Sequence, residues 1–203
     1  MENRPFDRVF GTVVFGFMLL VLPFCAGWWI SYLLGAGSEK IIAIGISSGI
    51  IVGIVLNLLL LKKTIVRLYL LPTWLMIGLL ALYSIGIFGF FMGVPVFNVF
   101  AGILAGIYTG RQAKVMDWDA AFYSARLKRA QWVSLSLLLM ACVTSAVLAL
   151  SDSHTPANIQ GMLSLNFTLT PSLLMGIIWV GGVLLLAVQF ALTKVSAALA
   201  YAR

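Results

Sequence analysis

Long runs of apolar residues, separated by short polar segments, account for most of this 203-residue chain. A helix crosses a bilayer core about 30 Å thick with roughly 20 apolar residues, and six runs have about that length. Strands of a membrane barrel alternate apolar and polar residues, so unbroken runs favour helices. The six predicted helices cover residues 10–34, 41–61, 70–92, 95–110, 131–150 and 171–196.

The composition indicates the same class of protein. Hydrophobic residues make up 62% of the chain and charged residues 9%, whereas soluble domains carry roughly 25% charged residues. We therefore expect an all-α, polytopic integral membrane protein, folded as a single transmembrane domain over residues 1–203. The first run, about 25 residues long, exceeds the apolar core of a signal peptide, so we expect it to remain as a helix.

The basic residues predict which side of the membrane each loop faces. Twelve of the thirteen lie near the two termini or in the loops after the second and fourth predicted helices, and Lys40 lies in a loop on the other side. Loops rich in Lys and Arg stay in the cytoplasm. This pattern predicts cytoplasmic termini and a plasma-membrane location, with lipid headgroups rather than nucleic acid as partners of the basic loops.

Two series of glycines recur at every fourth residue, so each series lies on one face of a helix. This spacing lets a second helix approach closely, which favours association of helices in lipid. It indicates tight packing inside the bundle, or assembly with another membrane protein. The two glycine zippers are Gly45, Gly49 and Gly53 in the second predicted helix and Gly102, Gly106 and Gly110 in the fourth.

Neutral polar residues are the candidates for a binding site. No charged side chain falls in the middle of a predicted helix, which argues against a proton relay built from carboxylates. The amides of Asn57, Asn98 and Gln189 are costly to leave without hydrogen bonds in lipid, so we expect them to face the interior. There they either bond neighbouring helices or, together with Trp179, line a substrate site.

The loop over residues 111–130 is the longest predicted cytoplasmic segment. Arg111 is expected to end the fourth helix, and Asp117 is a plausible N-cap. Trp118 and Phe122 fall on one face of the helix that would follow. This pattern predicts an amphipathic helix over residues 117–130 on the membrane surface, or an extension of the fifth helix. Either form offers a docking surface for a partner subunit.

Residues suited to catalysis are scarce. The chain has one histidine and two cysteines, so no haem ligand pair or zinc spacing is present. We therefore expect no enzyme activity, metal or cofactor. The leading hypothesis is a small transport component that binds a neutral or weakly polar solute within the bundle, passively or driven by a partner subunit. The alternative is a non-catalytic accessory or scaffold subunit assembled through its glycine-rich helix faces.

Overall fold

The computed structural model describes residues 5–35, 38–91, 93–162, 164 and 166–202, and this part of the chain forms helices and no strand. We number the helices in chain order. They are α1 (Pro5–Leu34), α2 (Glu39–Ile65), α3 (Thr73–Phe90), α4 (Val99–Val115), α5 (Ala120–Ser151), α6 (Thr155–Met162) and α7 (Pro171–Ala202).

Five of these helices, α1, α2, α3, α5 and α7, are long and apolar enough to cross a membrane. The protein is therefore a multi-pass membrane protein whose apolar helix surfaces suit contact with lipid. Helix α4 has 17 residues and includes Arg111 and Lys114. A 3₁₀ turn, Pro95–Asn98, precedes it. The fourth predicted span is thus a helix whose length and charge set it apart from the other five.

The chain forms two compact units, Met1–Leu71 and Pro72–Arg203. In the first unit α1 and α2 pack as an antiparallel pair. A Cβ atom added at Gly49 would collide with the carbonyl oxygen of Pro23, and one added at Gly45 with that of Gly27. The absence of side chains on this face of α2 therefore lets the two backbones touch. Pro23 lies inside α1, and the helix continues through it.

Each helix of the first unit contains one wide π-helical turn, Thr12–Gly16 in α1 and Asn57–Leu61 in α2, and the two turns contact each other. The side-chain amide of Asn57 donates to the carbonyl of Gly16 at 3.1 Å and to that of Gly53 at 3.0 Å. A π turn interrupts the regular backbone ladder of an α-helix. The asparagine therefore supplies hydrogen-bond donors where the ladder changes.

Helix α4 is the most deeply packed helix of the second unit. It runs parallel to α7, and a Cβ atom added at Gly106 would collide with the carbonyl oxygen of Thr193. One added at Gly110 would collide in the same way with the carbonyl oxygen of Ala197. Because protein rather than lipid surrounds much of α4, it does not need the continuous apolar surface of the other spans.

Helix α5 corrects two sequence-based expectations. The predicted N-cap Asp117 lies before the helix with a left-handed φ of 51°, and Asp119 is the actual N-cap, accepting from the Phe122 amide at 2.7 Å. The helix then runs unbroken to Ser151. Most of the 117–130 segment is therefore an extension of the fifth predicted helix, the second of the two alternatives, and the helix begins well before residue 131.

The end predicted for the fourth helix was also wrong. The helix continues past Arg111 to Val115, and the Arg111 side chain is buried, with 1% of its surface exposed. In the first unit, α1 likewise begins before residue 10 and includes the buried Asp7, whose carboxylate accepts from the Tyr69 hydroxyl at 2.7 Å. Two charged side chains therefore lie inside helices, at positions that the sequence pattern placed outside them.

Candidate functional site

Asn98 joins α3 to the start of α4. The residue is buried, and its side-chain amide donates to the Ser84 carbonyl at 2.9 Å and to the Ser84 hydroxyl at 2.6 Å. Its Oδ1 atom has no hydrogen-bond partner in the described part of the chain. Placing Asn98 at the end of the 3₁₀ turn Pro95–Asn98 directs its side chain toward α3. This contact fastens two helices to each other.

Gln189 plays a similar part between α7 and α5. Its side chain is fully buried, and its amide donates to the carbonyl of Ser134. The glutamine side chain packs against Gly102 of α4, where a Cβ atom would have no room. The Oε1 atom has no partner among the described residues. Gln189 thus occupies a three-helix contact, and the glycine of α4 makes the space for it.

The other two predicted site residues lie elsewhere. Trp179 is 70% exposed and lines a separate apolar groove of about 280 Å³ formed by α5 and α7. Asn57 belongs to the first unit, where it bonds Gly16 and Gly53. The second unit therefore holds Asn98 and Gln189 as buried links between helices, and the four predicted residues do not line one cavity.

A different part of the second unit contains a cavity of about 450 Å³. It lies between the first two turns of α3, the last turns of α4 and the early part of α5. Its walls are largely apolar. The lining side chains are Thr73, Met76, Ile77, Leu80, Ala105, Tyr108, Thr109, Gln112, Arg126, Arg129, Ala130, Trp132 and Val133.

The polar groups of the cavity lie where α4 ends and α5 begins. The Arg126 guanidinium stacks on the rings of Phe122, at 5.0 Å, and Trp118, at 5.7 Å. It also donates a weak hydrogen bond of 3.4 Å to the Thr73 hydroxyl. Stacking on aromatic rings is favourable for a guanidinium, so the two rings hold the Arg126 side chain in place. The second guanidinium, that of Arg129, lies one helical turn further along α5.

The opposite end of the cavity is closed by helix packing. Along α3, Leu80 is the last lining residue, and Ser84 follows one turn later. Along α4, the cavity begins at Ala105, and Asn98 lies about two turns before it. The hydrogen bonds between Asn98 and Ser84 therefore join α3 to α4 just beyond the closed end. We call the arginine end the open end, because its lining residues Thr73 and Arg129 are exposed, whereas Leu80 and Ala105 at the other end are buried.

The sequence pattern predicted that the arginines of this cavity lie on an amphipathic surface helix or on an extension of the fifth helix, and it did not indicate a cavity there. The signal that identifies them is the spacing of Phe122, Arg126, Arg129 and Val133, which places all four on one helical face. A second signal is the polar end of α4, where Tyr108 and Gln112 are four residues apart. Neither signal indicates the third wall, because the position of α3 follows from tertiary packing.

The described residues include no group of three or more His, Cys, Asp or Glu side chains able to hold a metal ion. Among the described residues that line the cavity, none is acidic. The arrangement therefore suits binding of a largely apolar molecule. The positive charge of the cavity lies at one of its ends. Neither a scan against family models nor searches of curated proteins and solved structures found a protein that matches this chain.

Proposed function

We propose that the protein is a small membrane transport component whose solute binds in the cavity between α3, α4 and α5. The observation that carries the proposal is the cavity itself: about 450 Å³ and largely apolar, with exposed lining residues at the arginine end and the Asn98–Ser84 contact just beyond the other end. Its volume falls within the roughly 300–1,000 Å³ of ligand pockets. Asn98 acts in this proposal as part of the closure rather than as a ligand of the solute.

The proposal includes the membrane topology. Helix α4 would cross the membrane in addition to the other five helices, shielded from lipid by its neighbours. Both termini of the chain would lie in the cytoplasm, and the cavity would be open to the cytoplasmic side. The basic residues at both ends of the chain and at the open end of the cavity support this orientation. The plasma membrane is the proposed location. Transport would be passive or driven by a partner subunit that docks on residues 111–130, and no catalytic step is proposed.

The experiment uses single cysteines. Cys25 and Cys142 are replaced by serine, and a cysteine is placed at Gln112, which lines the polar end of the cavity, or at Ala101, which is buried in α4 and does not line the cavity. A charged, membrane-impermeant thiol reagent is added to inside-out or right-side-out vesicles. We expect Gln112→Cys to react from the cytoplasmic side alone, and the Ala101→Cys control to stay unreactive on both sides.

Binding is tested by mass spectrometry of small molecules that remain with the purified protein. Ala105→Phe places a ring in the cavity and should remove the molecule that accompanies the wild-type protein. An unreactive cysteine at position 112, or a retained molecule in a folded Ala105→Phe protein, would show that the cavity is not the solute site.

A second candidate function is that of an accessory subunit assembled through helix faces. Gly49 and Gly106 pack inside the two units, so a partner subunit would have to contact other glycines. Gly78, Gly86 and Gly89 have open space beside them and lie on one face of α3. Gly86→Leu should then abolish stoichiometric co-purification of a membrane partner, while Gly161→Leu, in α6, should leave it unchanged.

A further inference from the structure

We infer that the ligand of the α3–α4–α5 cavity is an anionic amphiphile, a molecule with a hydrocarbon chain and one phosphate or carboxylate group. The inference rests on the proposed function and names the chemical class that this site would take. It replaces the expectation of a neutral or weakly polar solute, which was based on the uncharged centres of the predicted helices. The charge comes instead from α5, at the open end of the cavity.

The cavity walls match the hydrocarbon part of such a molecule. Met76 and Leu80 of α3 and Ala105 of α4 are buried and line the closed half. Val133 of α5, about one turn beyond Arg129, and Ile77 of α3 add to this apolar surface. A charged or strongly hydrated group placed here would lose its water without gaining a partner. The closed half therefore selects hydrocarbon.

The open end matches an anionic group. Arg126 and Arg129 are three residues apart, so their side chains project from one side of α5. A guanidinium offers parallel N–H donors that suit a carboxylate or phosphate, and such charge-assisted hydrogen bonds are strong. Tyr108 and Gln112 place a hydroxyl and an amide at the same end. With no described acidic residue in the lining, the positive charge is available to a ligand.

Arg126 is also prepared for this role before a ligand binds. Its stacking on Phe122 and Trp118 fixes the long side chain, and these two rings contact each other edge to face at 4.9 Å. Ordering a flexible arginine on binding normally costs conformational entropy. Part of that cost is met in the folded protein. In the proposed topology, this end lies at the cytoplasmic headgroup level, where basic pockets between helices bind anionic lipid.

The test measures binding to full-length protein in dodecyl maltoside by native mass spectrometry, with three probes. Palmitate represents a free single-chain anion, phosphatidylglycerol an anionic membrane lipid and phosphatidylcholine a lipid without net charge. The variant is Arg126→Gln/Arg129→Gln. The control, Lys62→Gln/Lys63→Gln, removes the same charge from α2. We expect the arginine variant to bind the preferred anionic probe roughly tenfold to thirtyfold more weakly, and the control to match wild type.

The probes distinguish two possible origins of an anionic amphiphile, a free molecule and a lipid of the membrane. Preference for palmitate supports a free amphiphile as the ligand, and preference for phosphatidylglycerol supports a lipid of the surrounding membrane. The inference is overturned if the arginine variant binds both anionic probes as tightly as wild type, or if phosphatidylcholine binds equally well.

Ala105→Phe separates this failure from failure of the proposed function. If it abolishes binding of all probes while the arginine variant has no effect, the cavity is the site and the anionic class is wrong. If folded Ala105→Phe binds every probe like wild type, both the inference and the proposed site fall. Ile77→Phe, at a position 38% exposed, fills the same cavity and serves as a second variant should Ala105→Phe not fold.

Discussion

Replacing Gly106 by alanine should weaken the second unit, because α4 and α7 approach each other through this residue. The added methyl group would meet the Thr193 carbonyl oxygen and the Ser196 hydroxyl oxygen, and would lie 3.1 Å from the Ala197 nitrogen. The hydroxyl can rotate away. The backbone atoms can move only if α7 shifts as a whole, and that shift would disturb the buried contacts along the helix.

The expected magnitude combines two opposing terms. Adding a methylene-sized group to a well-packed interior costs roughly 1–3 kcal/mol, and a backbone obstacle places Gly106→Ala near the upper end of that range. Alanine recovers about 1 kcal/mol through its better helix propensity. The net loss is about 2 kcal/mol, or about thirtyfold in the unfolding equilibrium. For a chain of this size it corresponds to a fall in Tm of roughly 4–8 °C.

The assay is titration of the purified protein from dodecyl maltoside into sodium dodecyl sulfate, followed by circular dichroism. Gly181→Ala is the matched control, because the same methyl group added to α7 there meets nothing within 4 Å. We expect the midpoint to fall for Gly106→Ala and to stay the same or rise for Gly181→Ala. Equal midpoints for the two variants would refute the claim that backbone contact at Gly106 holds α4 against α7.

Three further predictions test polar contacts. Asn57→Leu removes the donor that reaches the Gly16 carbonyl, and should lower the stability of the first unit by about 1 kcal/mol in the same titration; an unchanged midpoint would contradict it. Gln189→Met loses one hydrogen bond and also removes a buried oxygen without a partner, so we expect a stability change below about 1 kcal/mol and unaltered palmitate binding. Asp119→Ala removes the N-cap of α5 at a cost of about 1 kcal/mol, and hydrogen exchange of the Phe122 amide should be about fivefold faster; an unchanged rate would show that the cap is not needed.

Hydropathy alone predicted five of the helices that can cross a membrane, because exposure to lipid is a local demand on each residue. Continuous apolar surface is needed wherever a helix faces hydrocarbon, so the requirement can be read without knowing any neighbour. Helix α4 shows where this reasoning stops. The residue at which α4 ends depends on which sides of the helix are covered by protein. Arg111 lies inside the helix because its surroundings are folded chain rather than lipid.

The sequence predicted the form of the helix less well near residues 117–130. The aromatic and basic spacing correctly predicted helix, but the choice between a surface helix and an extension of α5 depended on cap geometry. A left-handed φ at Asp117 leaves Asp119 to accept the first amide. Both residues are good N-caps by composition, so the sequence does not choose between them.

The sequence by itself determined that this chain is a membrane protein, and which glycines leave space on a helix face. It also determined which amides need partners, since these are properties of single residues and of helical periodicity. Only the tertiary structure decided that Trp179 is exposed whereas Gln189 is buried, and that Arg126 meets the apolar walls of α3 and α4. A cavity is a space left between elements, and no residue encodes it alone. Its position follows from how the helices pack, because packing joins residues far apart in the chain.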